Sequence, residues 1–125
     1  MQVYKMNDCL FCKIIKGEIP STVVFEDEHV YAFHDIYPQA PVHIIVIPKE
    51  HITSAADIDP ENSHLVAKCF EAIAKIADKE GLDGGYRVVT NIGADGGQTV
   101  FHIHFHLLGG REFRGLVPDS NKTKA

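Results

Sequence analysis

The sequence has no apolar run approaching the roughly 18 to 20 residues of a membrane span. Its opening, MQVYKMNDCLFCKIIKGE, also lacks an apolar stretch followed by a small-residue cleavage site. The expectation is a cytoplasmic chain with no membrane partner. A basic surplus is missing too: 17 acidic residues face 12 basic ones, for a formal net charge of -5. Such a field repels a nucleic-acid backbone, so no nucleic-acid partner is expected and any nucleotide bound should be small. Cysteine is scarce and odd in number, three in all, with two of them spaced as Cys9-x-x-Cys12. In a reducing compartment that count favours metal or redox use over a disulfide framework. Internal repeats and low-complexity segments are absent, and 125 residues suit one domain, residues 1–125, with one ordinary core.

Local patterns give the order of elements. Residues 8–16 read as a helical turn or two, opened by Asp8 and stopped by Gly17 and Pro20. Two short β-rich runs, 22–25 and 30–33, flank the charged stretch 26–29 as a hairpin, and Asp35 lies where the second run ends. The prolines of residues 37–41 force a loop before a third, almost wholly apolar strand, 42–47, whose polar exception is His43. Asp59-Pro60-Glu61 predicts a helix start with Asp59 as N-cap, and Val66, Phe70, Ile73 and Ala77 predict one apolar stripe down a helix ending near Gly81. Strands are predicted over 86–90 and 100–108, joined by a glycine-rich loop over 93–98. A helix, three strands, a long helix and two strands indicate an α+β fold with an antiparallel sheet, and 119–125 reads as an unstructured tail.

The last predicted strand carries the chemistry. Period two puts His102, His104 and His106 on one face and Phe101, Ile103, Phe105 and Leu107 on the other. The histidine Cα atoms would span roughly 13 Å, too far for one metal to hold all three easily and better matched to an extended polar ligand. Upstream, Gly96-Gly-Gln98-Thr99 offers backbone N–H groups free of side-chain bulk, a cradle for an anion. Neutral imidazole is a good nucleophile near pH 7 if its other nitrogen is hydrogen-bonded, so a histidine here could attack phosphorus while its neighbours bind oxygens or shuttle a proton. Zinc held by His-x-His is the rival reading, and residue chemistry alone leaves both open.

Gly97-Gln-Thr-Val-Phe-His102-Ile-His104-Phe-His106-Leu-Leu-Gly-Gly110 resembles the histidine triad signature. The resemblance extends through Phe11-Cys-Lys-Ile-Ile15, Glu18-Ile-Pro20, Phe33-His-Asp-Ile36, Pro38-Gln-Ala-Pro41, His43, Ile47-Pro-Lys49 and Asn91, and points to the Hint-type branch of purine nucleoside phosphoramidate hydrolases. It implies a HIT-like fold, a five-stranded antiparallel sheet with one long and one short helix, and a homodimer with a ten-stranded sheet. It also implies cleavage of nucleoside 5′-phosphoramidates or aminoacyl-adenylate-like compounds without a catalytic metal. On that basis His104 attacks the α-phosphorus, and His106 and the backbone of Gly97, Gln98, Thr99 and Val100 hold the phosphate. His43 joins the catalytic network, Asp35 binds ribose, and Asn91 contacts phosphate or ribose. Phe11, Ile14, Phe33 and Ile36 enclose the purine, with His34 beside them in the same segment. Read without the resemblance, Asp35 and Asn91 are ordinary turn residues, His34 a surface residue and the apolar four simple core. In parts of the wider superfamily a CxxC pair, a later His and the first triad His bind structural zinc, which here implies Cys9, Cys12, His51 and His102. Thr99 stands where many members have Ser, and residues 111–119 lack the Trp-Pro-Pro ending of animal members. Hydrolysis of dinucleoside polyphosphates and a nucleotide-binding regulatory scaffold are the alternative functions.

Overall fold

The computed structural model describes residues 8–116, so the tail expected beyond them lies outside the described residues. The elements are α1 (Leu10–Ile15), β1 (Val23–Glu26), β2 (Val30–His34), β3 (Val42–Pro48), a 3-10 turn (Ala55–Asp57), α2 (Ser63–Lys79), β4 (Arg87–Val89) and β5 (Phe105–Gly109). The five strands form one antiparallel sheet in the order β1-β2-β3-β5-β4, the α+β architecture that the element order implies. The chain leaves α2 for the far edge, lays down β4, and returns β5 between β4 and β3.

Both faces of the central strands are covered, which is why β3 is apolar at nearly every position. On one face Val30, Ala32, Ile44, Val46, Phe105 and Leu107 pack against Leu65, Cys69, Ile73 and Ile76 of α2. On the other, Tyr31, Phe33, Ile45 and Ile47 meet Phe11, Cys12 and Ile14 of α1. By the two-residue alternation of a strand, His43 and His106 project to the α1 face. The short helix, and not the long one, therefore faces the functional side of the sheet.

Three local expectations are corrected. The stripe of α2 is wider than expected and shifted: Ile73 and Ala77 are buried as predicted and Val66 packs at the edge of the core, but Leu65, Cys69, Ala72 and Ile76 are buried too, while Phe70 is 46% exposed and meets Phe105 edge-on. The N-cap of α2 is Asn62, because Asp59 caps the turn before it, accepting from the N–H groups of Glu61 and Asn62. Likewise the Cys9 thiol, not Asp8, caps α1 by accepting from the N–H of Cys12.

Candidate active site

The predicted strand over 100–108 is a strand only from Phe105. Val46 pairs with Phe105, so continuing the ladder would bring Ile103 opposite Pro48, which has no N–H to give. The Pro48 carbonyl is instead 2.9 Å from Nε2 of His102, and the Ile103 N–H turns to the carbonyl of Ile52. Released from the ladder, residues 102–104 still alternate: Ile103 enters the α2 core, and His102 and His104 are buried on the opposite side.

This bend sets the nucleophile-like geometry of His104. Its Nδ1 lies 2.8 Å from the carbonyl of His102, an acceptor only, so Nδ1 carries the proton and Nε2 keeps its lone pair. Thr90 donates its hydroxyl to the His104 carbonyl, and the Phe11 ring stands edge-on to the imidazole at 5.1 Å between centroids. His106 follows, 5.0 Å from His104 between ring centroids.

A second network fixes His106. The N–H of Gln39 donates to Nδ1 of His43, which leaves the proton on His43 Nε2; that nitrogen is 2.9 Å from Nδ1 of His106 and 3.4 Å from Oδ2 of Asp35. His106 then bears its proton on Nε2. Gln39, in the Pro38–Pro41 loop, has no role in the sequence reading; its signal there is that two prolines fold the loop back over the start of β3. Asp35, His43 and His106 also form a potential metal group. Tetrahedral zinc would hold two imidazole nitrogens about 3.3 Å apart, so the 2.9 Å separation fits a shared proton better.

Burial lowers the pKa of His104 and of His43, and pushes His106 down to about 4, so all three are neutral at pH 7. An unfolded histidine titrates near 6.5, so the unfolded chain takes up more protons as pH falls from about 6.5 toward 4. The stability from keeping these imidazoles neutral is full above that upper value and lost on the way down. Unfolding free energies from urea titrations at pH 7.5 and pH 4.5 should differ by a few kcal/mol in favour of pH 7.5; equal values would contradict the burial argument.

Two cavities share His106 as a wall. The larger, about 360 Å³, is lined by Phe11, Ile14, Phe33, His34, Asp35, Ile36, Thr99, Val100, His104 and His106. Sequence reasoning assigned no site role to Leu10, Ile19, Pro20, Ser21, Tyr37 and Ile45, which also line it, although Ile19 and Pro20 belong to a matched motif. Ile36 is 81% exposed, an open wall opposite the buried Phe11 and Phe33. The second cavity, about 330 Å³, brings Asn91 and Gly97 beside His43 and His106. Gln98 opens into neither: its buried amide accepts from Gly93 N–H and donates to the carbonyls of Thr53 and Val100, bracing the glycine loop. A Cβ on Gly96 would collide with the Ile92 carbonyl oxygen, backbone that cannot swing aside. Gly96→Ala is accordingly expected to cost about 1–3 kcal/mol in denaturant unfolding.

Behind the triad, Cys9, Cys12, His51 and His102 bring four ligand atoms within 4.8 Å of one another. Nδ1 of His102 is 3.3 Å from the Cys9 sulfur and 3.6 Å from that of Cys12, which is 3.4 Å from Nδ1 of His51. Zinc–sulfur and zinc–imidazole bonds of about 2.3 and 2.1 Å at tetrahedral angles separate S and N by about 3.6 Å, so the cluster has the edges of a zinc tetrahedron. Two features complete the fit: the Pro48 carbonyl holds the proton on His102 Nε2, freeing Nδ1, and the Cys12 N–H donates to the Cys9 sulfur. Burial first, then the neighbouring Cys9, pushes the Cys12 thiol up to about 12, so a thiolate there needs a cation. Cys69, on the sheet-facing side of α2 and fully buried, stands apart as a small apolar residue.

A five-stranded antiparallel sheet, with His104 and His106 beside one cavity and His102 in the cysteine–histidine cluster behind them, defines the class: the chain belongs to the histidine triad, or HIT, family. A family model described as scavenger mRNA decapping enzyme C-term binding matches residues 8–115. Within the family, the chain is 47% identical over 106 residues to a purine nucleoside phosphoramidase of Escherichia coli K12, covering 84% of this chain and 89% of that protein. It is 51% identical over 105 residues to a 14 kDa zinc-binding protein of Zea mays, 82% of each chain. Among solved structures, a HIT family hydrolase of Legionella pneumophila superposes with TM-score 0.83 at 53% identity, over 85% of this chain and 96% of that one.

Proposed function

We propose that this chain hydrolyses purine nucleoside 5′-phosphoramidates, or related aminoacyl adenylates, through a nucleotidyl intermediate on His104. The observation that carries the reading is the 2.8 Å bond from His104 Nδ1–H to the His102 carbonyl, which leaves Nε2 unprotonated beside the larger cavity. The purine lies among Phe11, Ile14, Phe33 and Ile36, with His34 at the rim, Asp35 on the ribose hydroxyls and Asn91 on the phosphate side. Backbone groups of Gly97, Gln98, Thr99 and Val100 hold phosphate oxygens.

In the first step Nε2 of His104 forms a bond to phosphorus as the P–N bond breaks, the departing amine takes up a proton from water, and His106 Nε2–H donates a hydrogen bond to a phosphoryl oxygen. His43 Nε2–H donates to His106 Nδ1 and keeps that proton on the cavity side. In the second step water bonds to phosphorus as the bond from His104 Nε2 breaks, the proton it sheds passes to solvent, and the nucleoside monophosphate leaves with His104 restored. No metal enters either step. Cys9, Cys12, His51 and His102 hold a structural zinc, which ties α1 to the triad segment. The E. coli relative's name supports the substrate class and the Zea mays relative's name the metal. A cytoplasmic homodimer with a ten-stranded sheet completes the reading.

Adenosine 5′-phosphoramidate should yield AMP and ammonia in equal amounts, and denaturant quenching during turnover should trap one AMP moiety on His104 by peptide mass analysis. An intact phosphoramidate beside a cleaved diadenosine polyphosphate would move the activity to dinucleotides; cleavage of neither, with AMP still bound, would leave a nucleotide-binding scaffold.

A further inference from the structure

We propose that His102 and helix α1 join the metal cluster and the nucleotide cavity into one thermodynamic unit, in which bound zinc and bound purine nucleotide tighten each other. The inference rests on the nucleotide-binding reading above and adds to it a coupling between its two sites.

The first link is one residue with two ends. The His102 ring reaches the Cys9 and Cys12 sulfurs through Nδ1, and its backbone carbonyl accepts from Nδ1 of His104. Any shift of the ring to meet or lose a metal moves the acceptor that sets which nitrogen of His104 carries its proton. The second link is the spacing of α1. Phe11 sits between the two cysteines, and its ring touches both His102 and His104 edge-on, at 5.9 and 5.1 Å between centroids. The same helix supplies Leu10, Phe11 and Ile14 to the cavity wall.

A helix of six residues has no stability of its own in water. It is held here by apolar packing on Phe33, Ile45 and Ile47 and by the polar links of its two thiols to His51 and His102. Without a metal, those links are thiol–imidazole hydrogen bonds at 3.3 to 3.6 Å, weak compared with four coordinate bonds. Ordering α1 is thus a cost that metal and nucleotide share: whichever binds first orders the helix, and the second binds to a wall already in place.

Such coupling is reciprocal by linkage. For the zinc-loaded protein, AMP at saturation should lower the zinc dissociation constant, read by competition with a chelating dye, by about tenfold. Removing zinc should raise the AMP dissociation constant, read by calorimetry, by the same factor. A protein-free control corrects for zinc held by AMP itself. If the metal-free protein loses its fold, the competition arm, which starts from loaded protein, decides alone. A zinc dissociation constant that AMP leaves within twofold overturns the coupling and spares the function. Failure of AMP to bind the loaded protein overturns the nucleotide reading and the coupling with it.

Discussion

Replacing His104 by alanine is expected to lower kcat on adenosine 5′-phosphoramidate by about four orders of magnitude or more, with AMP affinity changed by less than about tenfold. The asymmetry follows from placement. Most of the cavity wall is apolar and comes from α1, β2 and the segments 19–21, 35–37 and 99–100, so ground-state binding is spread over many contacts. The attacking lone pair belongs to a single nitrogen, Nε2 of His104, and no other described side chain is positioned to replace it: His106 has its Nδ1 engaged by His43 and presents an N–H to the cavity. Because His104 is buried, circular dichroism of the variant should first show that the sheet is intact. Turnover within tenfold of the wild type would remove the covalent mechanism, and an adduct found on His106 would relocate it.

Removing zinc from the Cys9, Cys12, His51 and His102 cluster is expected to lower the thermal midpoint by about 15 °C. A ligand present at about a thousand times its dissociation constant stabilises the folded state by about 4 kcal/mol, and each kcal/mol is worth about 4 °C in a domain of this size. Cys12→Ser should reproduce the loss, and metal analysis of the untreated protein should find one zinc per chain. The effect should also depend on pH in a definite direction. The Cys12 thiol, pushed up to about 12, must release its proton to bind metal, so affinity should fall as pH is lowered. Stoichiometric zinc absent from the purified protein, with a midpoint indifferent to chelators, would reduce the cluster to hydrogen-bonded thiols and imidazoles.

Much of the fold was legible in the sequence because its signals are local and periodic. The order of helices and strands, the loop between β2 and β3 and the antiparallel class follow from turn residues and apolar spacing. Where a pattern has two solutions, packing chose between them. Val66 and Phe70 satisfy a helical stripe, but the sheet buries Leu65 and Cys69 more deeply, leaving Val66 at the edge of the core and Phe70 46% exposed. The predicted end strand satisfies period two throughout, but pairing stops at Phe105, since the partner position further along is a proline.

The site divides along the same line. Sequence alone determined that three histidines share a face and, through the triad signature, which family the chain resembles; side-chain alternation and a short motif need no knowledge of distant partners. Tertiary structure decided what each histidine is poised to do. His102 and Cys9 stand 93 residues apart in the chain and 3.3 Å apart in space, and His43 and His106 meet across 63 residues. A histidine's tautomer is set by whatever accepts or donates at its other nitrogen. Those partners, the carbonyls of His102 and Pro48 and the ring of His43, are delivered only when β3, the bend before β5 and α1 come together.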